Sequence, residues 1–253
     1  MRFTKMHGCG NDFIVGEASE GWDALAPARV AALCDRRTGV GADGLLVIGG
    51  HERRTWRWTI HNADGSTAEA CGNGARCVAR YLLDRHGGDA LRLRTNAAVV
   101  GARRDGAGIA IELAPPRVVE HFSVELGGVA HSVDRVDAGN TQLVAFVDDP
   151  ATVDLAPFAA AVRAVGGEGN VGCASFESAD VIRLRVDERG VGETLACGTG
   201  ALAAVAAATE RGAALGDAGV AVHLPGGVLQ VRPGATWTLS GPAEYVFEGE
   251  IRP

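Results

Sequence analysis

The sequence predicts an α+β fold built from two similar halves. Strand-like runs are frequent, helical runs are few, and one short motif recurs half a chain away. The first helical run is Ala28–Cys34, with apolar residues spaced three and four apart. Gly39-Val40-Gly41-Ala42-Asp43-Gly44 follows and matches G-x-G-x-x-G. A dinucleotide site needs a strand before that pattern and a helix after it. Here a helix precedes it and the apolar run Leu45–Ile48 follows, so it reads as a tight loop before a strand. Asn73 to about Arg85 is the second helix, stopped by Gly87-Gly88, and Thr199 to about Arg211 is the third, stopped by Gly212. Strands are expected over Leu91–Thr95, Ile109–Leu113, Val118–Leu126, Val181–Asp187, Val220–Leu224, Val228–Val231 and Trp237–Leu239.

The repeat carries the organisation. Ala70-Cys71-Gly72-Asn73-Gly74-Ala75 returns as Ala196-Cys197-Gly198-Thr199-Gly200-Ala201, an offset of 126 residues. Gly10-Asn11 and Gly139-Asn140 stand 129 apart, and Asn62 and Glu188 each precede their cysteine by nine. Three matches in one order at nearly one offset indicate a duplicated unit. Pro115-Pro116 marks the boundary, giving halves 1–116 and 117–240, with 241–253 expected to pair back onto the first half.

Composition narrows the chemistry. Of 253 residues, 47% are apolar and 22% charged, an ordinary globular balance. Net charge is −7 with no Lys/Arg block, which argues against nucleic-acid or anionic-membrane partners. No apolar run reaches the ~18 residues of a membrane span; the longest is Ala201–Ala208. Lys5 is the only lysine among 24 basic residues, so a Schiff-base enzyme would have to use it, and no G-K-[ST] phosphate loop exists. The N-terminal residues lack an apolar signal-peptide core, so a reducing cytoplasm is expected, where cysteines are buried, metal-bound or catalytic rather than paired. Cysteine and histidine spacings fit no zinc site, and no metal or cofactor is expected.

A cysteine at a helix start sits beside unpaired backbone N–H groups and the positive end of the helix dipole, which favour thiolate. Adjoining glycines let a carboxylate reach those N–H groups. Two such units facing one cleft would place sulfur acid/bases on opposite sides of a carbon next to a carboxylate. That suits reversible inversion of a stereocentre. Cys71 and Cys197 are therefore the candidate catalytic pair. Cys9, Cys34, Cys77 and Cys173 lack that context and read as core. A cysteine hydrolase would need an activating histidine; His61 and His7 are the candidates, but neither explains the second cysteine.

With these residues in view, the chain resembles the diaminopimelate epimerase family of cofactor-independent, two-cysteine epimerases. The resemblance runs through Lys5–Phe13, Gly39–Leu45, Asn62–Ser66, Cys71–Cys77, Gly139-Asn140, Asn170–Gly172, Glu188–Gly200 and Gly241–Ala243, nearly the whole chain. It implies two pseudo-symmetric halves, each a mixed sheet or barrel around a central helix, with the active site between them. It implies epimerisation of LL-2,6-diaminopimelate to the meso form, a step towards lysine and peptidoglycan. Cys71 and Cys197 would be the acid/bases. Gly72, Asn73, Gly198 and Thr199 would bind the reacting carboxylate, and Asn11, Asn62, Asn140, Asn170, Glu188 and Arg189 the rest of the substrate. Phe247 lies where relatives use a tyrosine at a dimer contact, implying a homodimer. Gly44 stands where some relatives carry a substrate-contacting glutamine.

One departure stands out. The family's Pro-His after Gly-Asn is Thr141-Gln142 here, so of the two residues implied to set the thiol pKa values Glu188 remains and Gln142 cannot titrate. Two alternatives stay open: an epimerase or racemase of the same fold acting on another amino acid, and a non-catalytic amino-acid binder.

Overall fold

A computed structural model describes residues 1–68, 71–95, 98–213, 216 and 219–252. Ala70 of the repeated motif lies outside the described residues. The chain divides into two compact units, Met1–Glu112 with Ser240–Pro253, and Leu113–Leu239.

In the first unit, β1 (Arg2–Gly8) and β2 (Asn11–Glu17) form a hairpin whose turn residues, Cys9 and Gly10, have φ of 53° and 82°. Two positive φ values in a two-residue loop make the turn that matches strand twist. A crossover through α1 (Pro27–Cys34) brings β3 (Gly44–Glu52) parallel to β2. β3 then pairs antiparallel with β4 (Thr55–Asn62), which carries the two-residue β5 (Thr67–Ala68). A second crossover, α2 (Gly72–His86), leads to β6 (Ala90–Arg94), parallel to β4. β7 (Val99–Asp105) and β8 (Gly108–Leu113) extend the sheet antiparallel. The final strand, β18 (Glu244–Glu250), pairs antiparallel with β1, from Arg2 opposite Glu250 to His7 opposite Glu244.

The second unit repeats that plan. β9 (Arg117–Leu126) and β10 (Val129–Asp137) pair antiparallel, and β10 pairs with β11 (Thr141–Phe146). A crossover through α3 (Leu155–Gly166) sets β12 (Asn170–Ser178) parallel to β11. β12 pairs antiparallel with β13 (Val181–Glu188), which also carries β14 (Gly192–Thr194). A crossover through α4 (Gly198–Glu210) leads to β15 (Val220–Leu224), parallel to β13, then β16 (Gly227–Arg232) and β17 (Trp237–Gly241). β9 occupies in this unit the place that β18, from the chain's far end, occupies in the first.

Each unit wraps its sheet around one helix. α2 packs against β1, β2, β3, β6 and β7, and α4 against β9 to β13 and β16. Every residue of α4 from Gly200 to Ala208 is buried, as befits a helix apolar on all sides. Its alanines leave room for strands on each flank. A separate layer of Phe3, Ile14, Trp22, Val30, Leu33 and Leu45 seats α1 on the first sheet, and Val124, Leu143, Leu155, Phe158, Val162 and Val171 seat α3 on the second.

The mixed α+β class holds, and α1, α2 and α4 fall within a residue or two of their expected spans. α3 escaped the pattern reading. Leu155, Phe158, Ala159 and Val162 follow helical spacing, but Pro157 and the Gly-rich segment that follows, Gly166–Gly169, obscure it. Proline at the third helical position costs little, because the first N–H groups of a helix have no intrahelical partner. No helix among the described residues is long and apolar enough to cross a membrane.

Candidate active-site residues

In the first unit, Cys71 is the N-cap of α2, with φ −152° and ψ 114°, and its Sγ accepts from the Gly74 N–H at 3.3 Å. A capping atom of this kind takes one of the helix's unpartnered donors. Gly72 and Asn73 form the first turn; Asn73 is buried and Cys71 half-buried. Asn11, at the start of β2, brings its Oδ1 to both: it accepts from Cys71 Sγ at 3.8 Å and from Asn73 Nδ2 at 3.1 Å. Asn62 stays apart from this cluster. Its Nδ2 donates to Ser66 Oγ at 2.9 Å, and its backbone closes the turn to Ser66. Gly44 faces Asn62 in the β3–β4 ladder, and a Cβ there would come 2.5 Å from the His61 carbonyl oxygen. That close backbone approach admits only glycine, which explains the absent side chain.

In the second unit, Cys197 is the buried N-cap of α4, and Gly198 and Thr199 open the helix. Asn170 Nδ2 donates to Cys197 Sγ at 3.9 Å, while its Oδ1 accepts from the Arg189 N–H at 2.9 Å. Thr199 Oγ1 lies 3.6 Å from the sulfur. Buried Gln142 donates through Nε2 to Thr199 Oγ1 at 3.0 Å and to Asn140 Oδ1 at 2.9 Å. Glu188 closes β13 and accepts from Thr194 Oγ1 at 2.7 Å. Arg189 is exposed, and its guanidinium makes no hydrogen bond or ion pair with described residues.

The remaining cysteines are core residues. Burial pushes the thiols of Cys77 and Cys173 up to about 12 and that of Cys34 to about 11, and it raises Cys9 as well. Among the described residues no group of three or more His, Cys, Asp or Glu side chains is arranged to hold a metal ion.

Two residues beside Cys71 escaped the sequence reading. Arg76 is fully buried on α2, donating to Asn73 Oδ1 at 2.8 Å and the Pro242 carbonyl at 3.3 Å. Asp43, in the glycine-rich loop, accepts from Asn11 Nδ2 at 2.8 Å and from Arg36 at 2.7 Å. The repeat held a signal for Arg76: the residue five past the second cysteine is Leu202. A charge on one copy of a duplicated buried helix, and leucine on the other, marks a local specialisation.

The architecture and the paired cysteine-capped helices define a class before any name. The chain shares its fold with a PhzF-family protein from Bacillus anthracis, at TM-score 0.74 and 14% identity, covering 100% of this chain and 99% of that one. It shares it also with a hydroxyproline epimerase from Agrobacterium vitis, at TM-score 0.68 and 14% identity, covering 98% of this chain and 91% of that one. Within that fold class, the diaminopimelate epimerase sequence profile matches residues 3–110 and 135–241. Diaminopimelate epimerases of Azoarcus sp. and Pseudomonas entomophila are 40% and 37% identical; the alignments cover 99% and 100% of this chain and 98% and 99% of those proteins. The chain belongs to the diaminopimelate epimerase family.

Proposed function

We propose that this protein is an isomerase that inverts one stereocentre of LL-2,6-diaminopimelate to give the meso form, using no cofactor. The observation that carries the reading is the matched pair of helix N-caps: each unit ends a glycine turn with a cysteine sulfur at the first turn of its central helix. One thiolate removes the α-proton and becomes a thiol. The other thiol delivers its proton to the opposite face and becomes the thiolate, so protons and charge balance across the turnover. The reading requires both sulfurs to meet one substrate carbon from opposite sides, each unit supplying one.

Backbone N–H groups at Gly72, Asn73, Gly198 and Thr199 hold the reacting carboxylate and the negative charge that develops on it. The uncommitted guanidinium of Arg189 suits the distal carboxylate, and Glu188 the distal ammonium. Asn11, Asn62, Asn140 and Asn170 fix orientation. Gln142 acts on Cys197 through Thr199, where a titrating residue is absent. A reducing cytoplasm would keep both thiols available. Tyr245, Val246 and Phe247 are all exposed along β18, which fits a homodimer built on that strand; a monomeric mass by light scattering would dismiss it.

The test is α-proton exchange in D₂O, followed by NMR under reducing conditions, with LL-diaminopimelate beside a panel of other amino acids. Exchange and inversion confined to diaminopimelate are expected. Gln142 favours the second reading, a different amino acid, and exchange only with another member of the panel would establish it. Tight binding without any exchange would make the protein a binder.

A further inference from the structure

The side-chain amides beside the two cysteines are locked in opposite senses. Asn11 sits between partners that permit one orientation. Asp43 Oδ2 can only accept, so it must face Asn11 Nδ2, and the Asn11 carbonyl is left pointing at Cys71. The lock is doubled from the other side. Arg76 can only donate, so it holds Asn73 Oδ1 and turns Asn73 Nδ2 onto that same Asn11 carbonyl. The chain of bonds runs from a buried guanidinium to a carboxylate that is itself anchored by Arg36. Gly8 makes room for it, since a Cβ there would meet Arg76 Nη2 at 3.1 Å.

At Cys197 the lock runs the other way. The Arg189 backbone N–H can only donate, so it holds Asn170 Oδ1 and turns the Asn170 NH₂ to the sulfur. Thr199 Oγ1 also lies 3.6 Å from Cys197, with Gln142 Nε2 donating to it from the other side.

We propose that Asp43 and Arg76 are positioning residues that hold a carbonyl against Cys71, so that the single proton shared by the thiol–thiolate pair rests on Cys71 and Cys197 rests as the thiolate. The proposal rests on the two-cysteine reading above and adds which sulfur is the resting base.

The surrounding charges define what the lock opposes. Arg76 and the Gly74 N–H, which bonds Cys71 Sγ at 3.3 Å, favour a thiolate at Cys71, whereas the Asn11 oxygen at 3.8 Å accepts the thiol hydrogen and repels a sulfur anion. Asp43 adds negative charge beyond Asn11, balanced by Arg36, which also binds Asp12. Cys9 and Cys77, the other titratable groups around Arg76, are held protonated by burial. At Cys197 the Asn170 NH₂ and the positive end of α4 favour the anion and outweigh the burial of the sulfur. The charged residues at the end of β13, which packs against α4, are Asp187, paired with Arg163, Glu188, which accepts from Thr194, and then the exposed Arg189.

The experiment reads each thiol without turnover. The full-length protein is alkylated with iodoacetamide across a pH series, and labelled peptides are quantified by mass spectrometry. Cys197 is expected to alkylate with the lower apparent pKa. Asp43→Asn breaks the lock, because either orientation of the new amide sets a donor against Arg36 or against Asn11 Nδ2 and the Asp12 N–H, and the Asn11 carbonyl is no longer held on Cys71. The apparent pKa of Cys71 should then drop by about one unit, roughly tenfold more thiolate at a pH below both values, with Cys197 unmoved. Asn11→Ala removes the carbonyl directly and should shift Cys71 the same way, which covers an Asp43→Asn protein that fails to fold. A more acidic Cys71 in the unaltered protein, or no shift in Asn11→Ala, overturns the proposal. Failure here leaves α-proton exchange intact, whereas failure of the epimerase reading abolishes exchange and leaves these thiol values standing.

Discussion

The two cysteine-capped helices share a backbone plan but differ in almost every polar partner. Both begin at a glycine after a cysteine in extended conformation, and both follow a hairpin that ends nine residues upstream, at Asn62 or Glu188. The places that correspond by the 126-residue offset then diverge. Gly44 stands for Asn170, Arg76 for Leu202, Asn73 for Thr199, and Asp43 for Gly169. In the first unit a charged lattice of Lys5, Asp12, Arg36 and Asp43 backs the site, and in the second a neutral pair, Gln142 and Asn140, does so. Duplication supplied two equivalent sulfurs; the side chains around them made the two inequivalent. A two-base inversion needs one proton on the pair, and unequal surroundings choose which sulfur holds it.

The largest effect expected from breaking the comparison comes from the sulfurs. Cys71→Ala or Cys197→Ala should cut inversion by about 10²–10⁴-fold, the usual worth of a positioned acid or base. Each variant should still wash slow solvent deuterium into the substrate on the one face it can reach. Full inversion by either single variant, followed by NMR, would end the two-base reading.

Exchanging one corresponding pair separates fold from chemistry. Gly44→Asn forces a Cβ against the His61 carbonyl and should cost on the order of 3 kcal/mol in urea denaturation, the upper range for overpacking. Asn170→Gly meets no such clash and should lose much less stability while releasing the amide held at Cys197. Equal costs would show that the two strand starts are under the same constraint.

Acid should find the first unit's lattice. Burial pushes the Asp12 carboxyl up, but hydrogen bonds from Arg36 and Lys5 outweigh it and leave it at about 2, against 3.8 ordinarily. A carboxyl depressed on folding adds stability above its ordinary value, and that stability is lost as pH falls through the folded one. The lattice therefore contributes on the order of 2 kcal/mol at neutral pH, disappearing between pH 3.8 and about 2. Asp12→Asn should flatten the stability curve in that window, and an unchanged acid slope would count against the lattice.

The smallest effect belongs to Gln142. Gln142→His places a titrating ring where the neutral amide meets Thr199, adding an inflection between about pH 5 and 8 to the pH–rate profile. A superimposable profile would show that position 142 does not tune Cys197.

Much of this was legible in the chain. The repeated Cys-Gly-x-Gly pattern located both helix starts, because a cysteine cap and glycines at a first turn are local requirements. The residues of β15, five alternating positions between loop segments, carried their own signal. Other elements had no local signature. β18 is exposed at nearly every position; the closing segment was expected to pair back, but only the fold shows that its partner is β1, some 240 residues away. At the site, the motif marked Asn62 as a candidate substrate residue, and only the fold shows that its amide also bonds Ser66 Oγ.

The sequence by itself determined the α+β class, the doubled unit, the two sulfurs and the family, since each depends on residue types at short or repeated spacings. Tertiary structure alone decided the polarity around those sulfurs. An amide presents its oxygen or its nitrogen according to the third group that meets it. For Asn11 that group is Asp43, 32 residues on, and for Asn170 it is the backbone of Arg189, 19 residues on. Neither partnership leaves a mark in local sequence, because hydrogen-bond direction is fixed by which donors and acceptors the fold brings within about 3 Å.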